Sequence, residues 1–133
     1  MAIAEMNPVQ AHEVLGSNPA ARYLDVRTEP EFEAGHPAGA LNVPVILLDP
    51  ATRQPKPNPH FVATVAGQVP PTTKLLIGCQ SGVRSERACT LLAEAGFTDV
   101  TNVQGGFGGA RDASGRIVVP GWRDAGLPVE TGR

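Results

Sequence analysis

A cysteine followed closely by serine, glycine and arginine can supply a nucleophile and hold an anion beside it, and Cys79-Gln80-Ser81-Gly82-Val83-Arg84-Ser85 is such a run. The thiolate is the reactive form of cysteine, and its ordinary pKa of about 8.5 falls at a helix N-terminus or beside a cation. Arg84 is that cation, Gly82 lets the backbone turn inward without a Cβ, and Ser81 and Ser85 carry hydroxyl donors. If a helix begins at Val83, the unpartnered N–H groups of its first turn and roughly half a positive charge from its dipole face the same loop. The run therefore predicts a bowl of donors around the Cys79 sulfur, with Gln80, Ser81, Gly82, Val83, Arg84 and Ser85 holding the anion. Cys89, the other cysteine, falls among the apolar positions of that helix and reads as a packed thiol.

The elements that must position this loop follow from the pattern around it. Lys74 to Gly78 has continuous rather than alternating apolar residues, which predicts a buried strand with Cys79 at its C-terminal end. From Val83 to Ala95 the period becomes helical, with Ala88, Leu91, Leu92 and Ala95 on one face and Gly96 as the stop. Asp99 to Val103 is the next strand. Strand, helix, strand makes a βαβ unit, so the sheet is expected to be parallel with helices on both faces and ligands beyond its carboxyl ends.

Upstream, Asn7-Pro8 opens a helix carrying Val9, Val14 and Leu15 and ending near Gly16. Tyr23 to Val26 is a short strand that runs into Thr28-Glu29-Pro30-Glu31, which has capping-box form. Leu41 to Val45 is another strand, Asp49 to Pro59 with its four prolines is a loop, and Asn58-Pro59 again has the form of a helix start. Asp25 and Arg27, at a strand end, are expected to form an ion pair or a tie to the cysteine loop rather than to touch substrate. Glu31 is assigned to the capping box and His36 to holding backbone in a turn. Gly105-Gly106-Phe107-Gly108-Gly109 reads as a flexible turn, and without G-x-G-x-x-G spacing it predicts no dinucleotide site.

The chain has 133 residues, of which 41% are hydrophobic, enough for one domain over 1–133 with its own core. A net charge of −2 argues against nucleic acid or an anionic membrane as partner. Nine of the eleven basic residues are Arg, a mild bias toward oxyanion contacts. No apolar run is long enough to span a bilayer, and Met1 to Met6 lacks the basic and apolar regions of a leader, so a cytoplasmic protein is expected. Two cysteines make no disulfide scaffold, and no Cys/His cluster has zinc-ligand spacing.

The loop from Cys79 to Arg84 resembles the six-residue cradle of the rhodanese family, where a strand ends at a cysteine and a helix follows. Asp25-Val26-Arg27, Glu31-Phe32, Gly35-His36, Gly39-Ala40, Asn42 and Pro44 are similar to the family's upstream signature. Gly96-Phe97, Val100, Gly105-Gly106-Phe107 and Trp122 with Gly126-Leu127-Pro128 are similar to its closing pattern. The resemblance implies an α/β protein, a three-layer α/β/α rhodanese-like domain with a mainly parallel five-stranded sheet. It also implies transfer of sulfane sulfur, through a persulfide on Cys79, from thiosulfate or a related donor to cyanide or a thiol, a protein thiol included. No cofactor or metal is expected, and a monomer suffices. Pro37 stands where the family often has Ile, and Gly108 to Gly121 is an insertion relative to the shortest members, so substrate preference does not carry over. Two rivals share the fold. Phosphatases and arsenate reductases resemble it but use Cys-x5-Arg, whereas four residues separate Cys79 from Arg84 here. Non-catalytic binding modules of the family typically lack the cysteine.

Overall fold

Strands of only two to four residues carry this fold, so tight turns and caps must set where each one ends. The computed structural model describes residues 3–132; residues 1, 2 and 133, part of the span assigned to one domain, lie outside the described residues. In chain order the elements are β1 (Ala4–Met6), α1 (Pro8–Ser17), β2 (Arg22–Asp25), α2 (Glu29–Ala34), β3 (His36–Pro37), β4 (Leu41–Asn42), β5 (Ile46–Leu48), β6 (Pro55–Pro57), α3 (Phe61–Gln68), β7 (Leu75–Gly78), α4 (Val83–Glu94), β8 (Val100–Val103), β9 (Ala110–Arg111), β10 (Ile117–Val119) and β11 (Val129–Glu130). The main sheet has five strands in the order β1-β8-β7-β2-β4, with every adjacent pair parallel.

β7 lies at the centre, and its continuous Leu75-Leu76-Ile77 run is buried on both faces. Leu75 and Ile77 join Leu24, Val65, Cys89 and Leu92 in a core under α3 and α4; Leu76 points the other way, toward Ala11, Tyr23, Val103 and Trp122 under α1. Each buried Leu, Ile or Val among them removes enough apolar surface to contribute roughly 1.5–3 kcal/mol. The result is the three-layer α/β/α arrangement.

Capping boxes open α1 and α2. Asn7 Oδ1 accepts Gln10 N–H at 2.8 Å while Gln10 Oε1 accepts Asn7 N–H at 2.9 Å, and Thr28 pairs with Glu31 in the same way. The buried side of α1 is Pro8 and Ala11, with Val14 and Leu15 half-buried; Val9, expected on the inner stripe, faces solvent instead. On α4 the inner face is Ser85, Ala88, Cys89 and Leu92, an i, i+3, i+4, i+7 set, while Leu91 is half-buried and Ala95, past the last turn, is exposed.

Two further expectations change, and the Gly108–Gly121 insertion acquires a structure. The span from Asp49 to Pro59 is not all loop: β5 and β6 form an antiparallel ribbon, with Ile46 opposite Pro57 and Leu48 opposite Pro55. A separate two-stranded ribbon has free edges that tolerate proline. α3 starts at Phe61 rather than at Asn58-Pro59, because Asn58 is used in a turn, its Oδ1 accepting His60 N–H at 3.0 Å and its Nδ2 donating to Pro44 O at 2.8 Å. The Gly108–Gly121 segment folds as the β9–β10 hairpin, its bend closed by Asp112 accepting the N–H groups of Ser114 and Arg116. Among the described residues, no helix is long and apolar enough to cross a membrane.

Candidate active site

β7 delivers the chain to the site. A Cβ at position 78 would collide with the Tyr23 hydroxyl, so glycine is required directly before Cys79. Beyond it the backbone curls so that Cys79 Sγ accepts Gly82 N–H at 3.1 Å and Ser85 N–H at 3.3 Å. α4 has no side-chain N-cap, and the sulfur occupies the role a capping oxygen would have. Gly82 makes this possible with φ of +113°, a conformation that side-chain-bearing residues avoid. Among the described residues the N–H groups of Gln80, Ser81, Val83 and Arg84 have no protein acceptor, so the loop that holds the buried sulfur keeps further free donors. The Val83 side chain points to solvent, so that residue can contribute only its backbone.

The Ser85 hydroxyl, expected to face the anion, is already committed at the back of the loop. It donates to Asn102 Oδ1 at 2.5 Å, and Asn102 Nδ2 donates to Glu5 Oε1 at 3.0 Å and to Gly82 O at 3.4 Å. Ser85 therefore serves the sulfur through its amide. Asn102, fully buried at the end of β8, went unassigned in the sequence; a polar residue between Thr101 and Val103 in a buried strand was the available signal.

On the opposite side, Asp25 and Arg27 form a buried ion pair, with Nη2 to Oδ2 at 2.7 Å and Nε to Oδ1 at 3.0 Å. The same guanidinium donates to Gly35 O at 2.6 Å and to Gln80 Oε1 at 3.3 Å, which ties α2 and the cysteine loop together. Its carbon lies 4.5 Å from the centroid of the Phe107 ring. Phe107 belongs to the glycine turn, which is buried and firmly attached rather than flexible: Phe107 N–H donates to Cys79 O at 2.8 Å and Gly108 N–H to Gln80 O at 2.9 Å. A Cβ on Gly106 would fall on the Cys79 carbonyl, and one on Gly108 on the Gln80 side chain. The glycines are there for close backbone approach.

Arg84, expected to bring a permanent charge to the loop and help hold the anion, is paired with Glu31 in a two-pronged contact, Nη1 to Oε1 at 2.9 Å and Nη2 to Oε2 at 3.0 Å. Glu31 thus has two jobs, capping α2 and binding Arg84, of which the sequence displayed only the first. Burial pushes its carboxyl upward, but hydrogen bonds from Arg84 and Thr28 outweigh that and hold it at about 2. His36 lies away from the sulfur, stacked on Phe32 with its Nδ1 2.7 Å from Phe32 O, a turn-holding role. Cys89 is fully buried in the core, and burial drives its thiol up to about 12.

A cleft of about 430 Å³ opens beside Gln80, lined by Arg27, Glu31, Gly35, Phe107 and Arg123 among others. A hollow of similar volume, about 440 Å³, runs along the outside of α4 between Val83 and Glu94 and contains no nucleophile. Among the described residues, no group of three or more His, Cys, Asp or Glu side chains could hold a metal ion.

A buried cysteine at the end of a central parallel strand, its sulfur under the first turn of the next helix, is the site geometry the resemblance led one to expect. The chain belongs to the rhodanese-like family: the Rhodanese-like domain model matches residues 7–113. It is 38% identical over 109 residues to thiosulfate sulfurtransferase 16, chloroplastic, of Arabidopsis thaliana, covering 82% of this chain and 79% of that one. Thiosulfate sulfurtransferase 18 of the same plant is 38% identical over 112 residues, 83% of this chain and 72% of its own. The crystal structure of Rv0390 from M. tuberculosis superposes with a TM-score of 0.82 at 33% identity, covering 99% of this chain and all of that one.

Proposed function

We propose that this protein is a sulfurtransferase that takes sulfane sulfur from thiosulfate or a related small donor and carries it as a persulfide on Cys79. The observation that carries this reading is the Cys79 sulfur held by the Gly82 and Ser85 amides inside a loop with further free N–H groups. In the first half-reaction the Cys79 thiolate attacks the outer sulfur of thiosulfate. One S–S bond forms, the bond between the two sulfurs of thiosulfate breaks, and sulfite leaves with that electron pair. The persulfide that remains bears one negative charge, matched by the amides of Gln80 to Ser85. In the second half-reaction cyanide or a thiolate attacks the outer sulfur, and the Cys79 thiolate departs. Neither step needs a metal or an organic cofactor, and a monomer contains every group used.

Asp25 and Arg27 support the loop through Gln80 and do not touch the reacting sulfur. The phosphatase reading is disfavoured by the four residues between Cys79 and Arg84, a cradle one residue shorter than Cys-x5-Arg, and by the Glu31 carboxylate already occupying Arg84.

The test is intact mass after thiosulfate treatment, with cyanide added to half the sample and Cys79→Ser as control. The expected result is a gain of one sulfur on wild type alone, removed by cyanide. No gain from thiosulfate or from any other persulfide donor would overturn the assignment and favour a binding module. Hydrolysis of an aryl phosphate by wild type but not by Cys79→Ser would favour the phosphatase.

A further inference from the structure

Charge bookkeeping around the cleft singles out a residue outside the cysteine loop. Arg27, which lines the cleft, is neutralised by Asp25 at 2.7 Å, and Glu31, which also lines it, is paired at 2.9 Å with Arg84 of the cysteine loop. Glu31 remains ionised down to about pH 2, so that second pair stays neutral as a unit throughout the working range. Arg123 also lines the cleft, and it makes no ion pair among the described residues. Its side chain is exposed, with the guanidinium carbon 5.6 Å from the centroid of the Phe107 ring. The carboxylate of the next residue, Asp124, keeps its charge but turns back to accept Gly121 N–H at 3.2 Å and, among the described residues, forms no ion pair with Arg123.

The position of Arg123 is built rather than incidental. Trp122 is buried in the core beneath α1, with Nε1 donating to Pro128 O at 2.7 Å and its backbone N–H to Gly106 O at 2.8 Å. Arg123 N–H then donates to Phe107 O at 3.1 Å. The backbone of Arg123 is thereby fastened to the same turn whose Phe107 and Gly108 amides bind the Cys79 and Gln80 carbonyls.

We infer that Arg123 is the specificity-determining residue for charged donors, supplying the cleft-lining cation that, among the described residues, has no carboxylate paired with it and so draws a dianion such as thiosulfate toward Cys79. The inference rests on the sulfurtransferase reading and adds to it a role that the cysteine loop does not fill. A single exposed charge acts on encounter and ground-state binding more than on sulfur transfer itself, so it should move KM and leave kcat nearly alone. Its effect scales with the charge of the donor and shrinks as salt screens it.

The experiment compares wild type, Arg123→Ala and Arg123→Lys with two donors, thiosulfate and benzenethiosulfonate, a monoanion that delivers its terminal sulfur to a thiolate and leaves as benzenesulfinate. For Arg123→Ala the KM for thiosulfate should rise roughly three- to tenfold at low ionic strength, with kcat within about twofold of wild type. The rise with the monoanion should be distinctly smaller, Arg123→Lys should recover most of the loss, and raising the salt should bring the variants together. Three results would overturn the inference: an unchanged KM for thiosulfate, an equal loss with both donors, or a fall in kcat that lysine does not rescue. The last two would instead mean that Arg123 merely supports Phe107. Failure of the parent reading looks different, since wild type itself would then acquire no sulfur from either donor and both ideas would fall together.

Discussion

Cys79 and Cys89 are both free and both buried, and they belong to the same apolar cluster, yet their sulfurs meet opposite surroundings. Cys79 precedes α4 and collects the amides of Gly82 and Ser85, which belong to the turn where a helix has donors to spare. Cys89 lies two turns into the same helix, where backbone donors are consumed by the helix itself and its neighbours are Ala88 and Leu92. With nothing to stabilise a charge, burial drives the Cys89 thiol up to about 12. Exposure does not distinguish these two thiols. What does is the supply of oriented N–H groups, and that supply depends on where each sulfur sits along one helix.

Exchanging each thiol is the hardest blow to this comparison. Cys79→Ser should reduce thiocyanate formation from thiosulfate and cyanide by on the order of a thousandfold or more, because the hydroxyl cannot form the persulfide. Cys89→Ala should keep activity within about threefold and lose about 1 kcal/mol in a urea titration, the consequence of a small cavity under Leu92. If Cys89→Ala also stopped sulfur loading, the separation of a reactive from an inert thiol would be wrong.

A subtler attack leaves both sulfurs in place and disturbs the loop backbone around one of them. In Gly106→Ala the new methyl would meet the Cys79 carbonyl, and the position has φ of +50°. The turn must withdraw from the loop, which should destabilise the fold by about 2–3 kcal/mol and slow sulfur loading by roughly ten- to a hundredfold. Loading measured by rapid-quench mass spectrometry at native-state temperatures tests this; wild-type rates would show that the glycine turn does not set the Cys79 geometry. Asn102→Ala acts from the other side by depriving the buried Ser85 hydroxyl of its acceptor. A loss of about 1–3 kcal/mol is expected, with a loading rate several-fold lower. Unchanged loading despite the stability loss would place Asn102 in the core rather than behind the site.

How much of this was legible depends on the range of the interaction that decides it. The cysteine loop, its strand and its helix are contiguous in the chain, so apolar periodicity and one glycine sufficed to place Cys79 at a helix N-terminus. The cap-plus-proline start at Asn7-Pro8 and the capping box at Thr28 were equally local, although the reciprocal Gln10 half of the Asn7 cap was not read. The contacts that went unread join distant segments. Glu31 and Arg84 are 53 positions apart, and nothing in the capping motif reveals that the same carboxylate reaches across to α4. The glycine turn looked mobile because flexibility is glycine's commonest use; its close approach to the Cys79 carbonyl exists only once β7 and β8 are paired. The β5–β6 ribbon was hidden by its prolines, which argue against a strand everywhere except at a free edge.

The Glu31–Arg84 pair offers the finest test, because it flanks Cys79 and has no counterpart near Cys89. Its carboxyl is held at about 2, below the ordinary value of 4.5, so its contribution to stability is complete above about pH 5 and is lost as the pH falls from there toward 2. The side chains are 34% and 29% exposed, so solvent screening cuts the nominal gain to about 1 kcal/mol. Glu31→Gln keeps an amide able to complete the capping box and removes the charge. Wild type should therefore exceed the variant by about 1 kcal/mol in urea titrations at pH 6, and the gap should narrow steadily through pH 4 and pH 3. A gap that stayed constant with pH would mean that Glu31 contributes through its shape and its cap, with the ion pair to Arg84 adding nothing to the rigidity of the loop that holds Cys79.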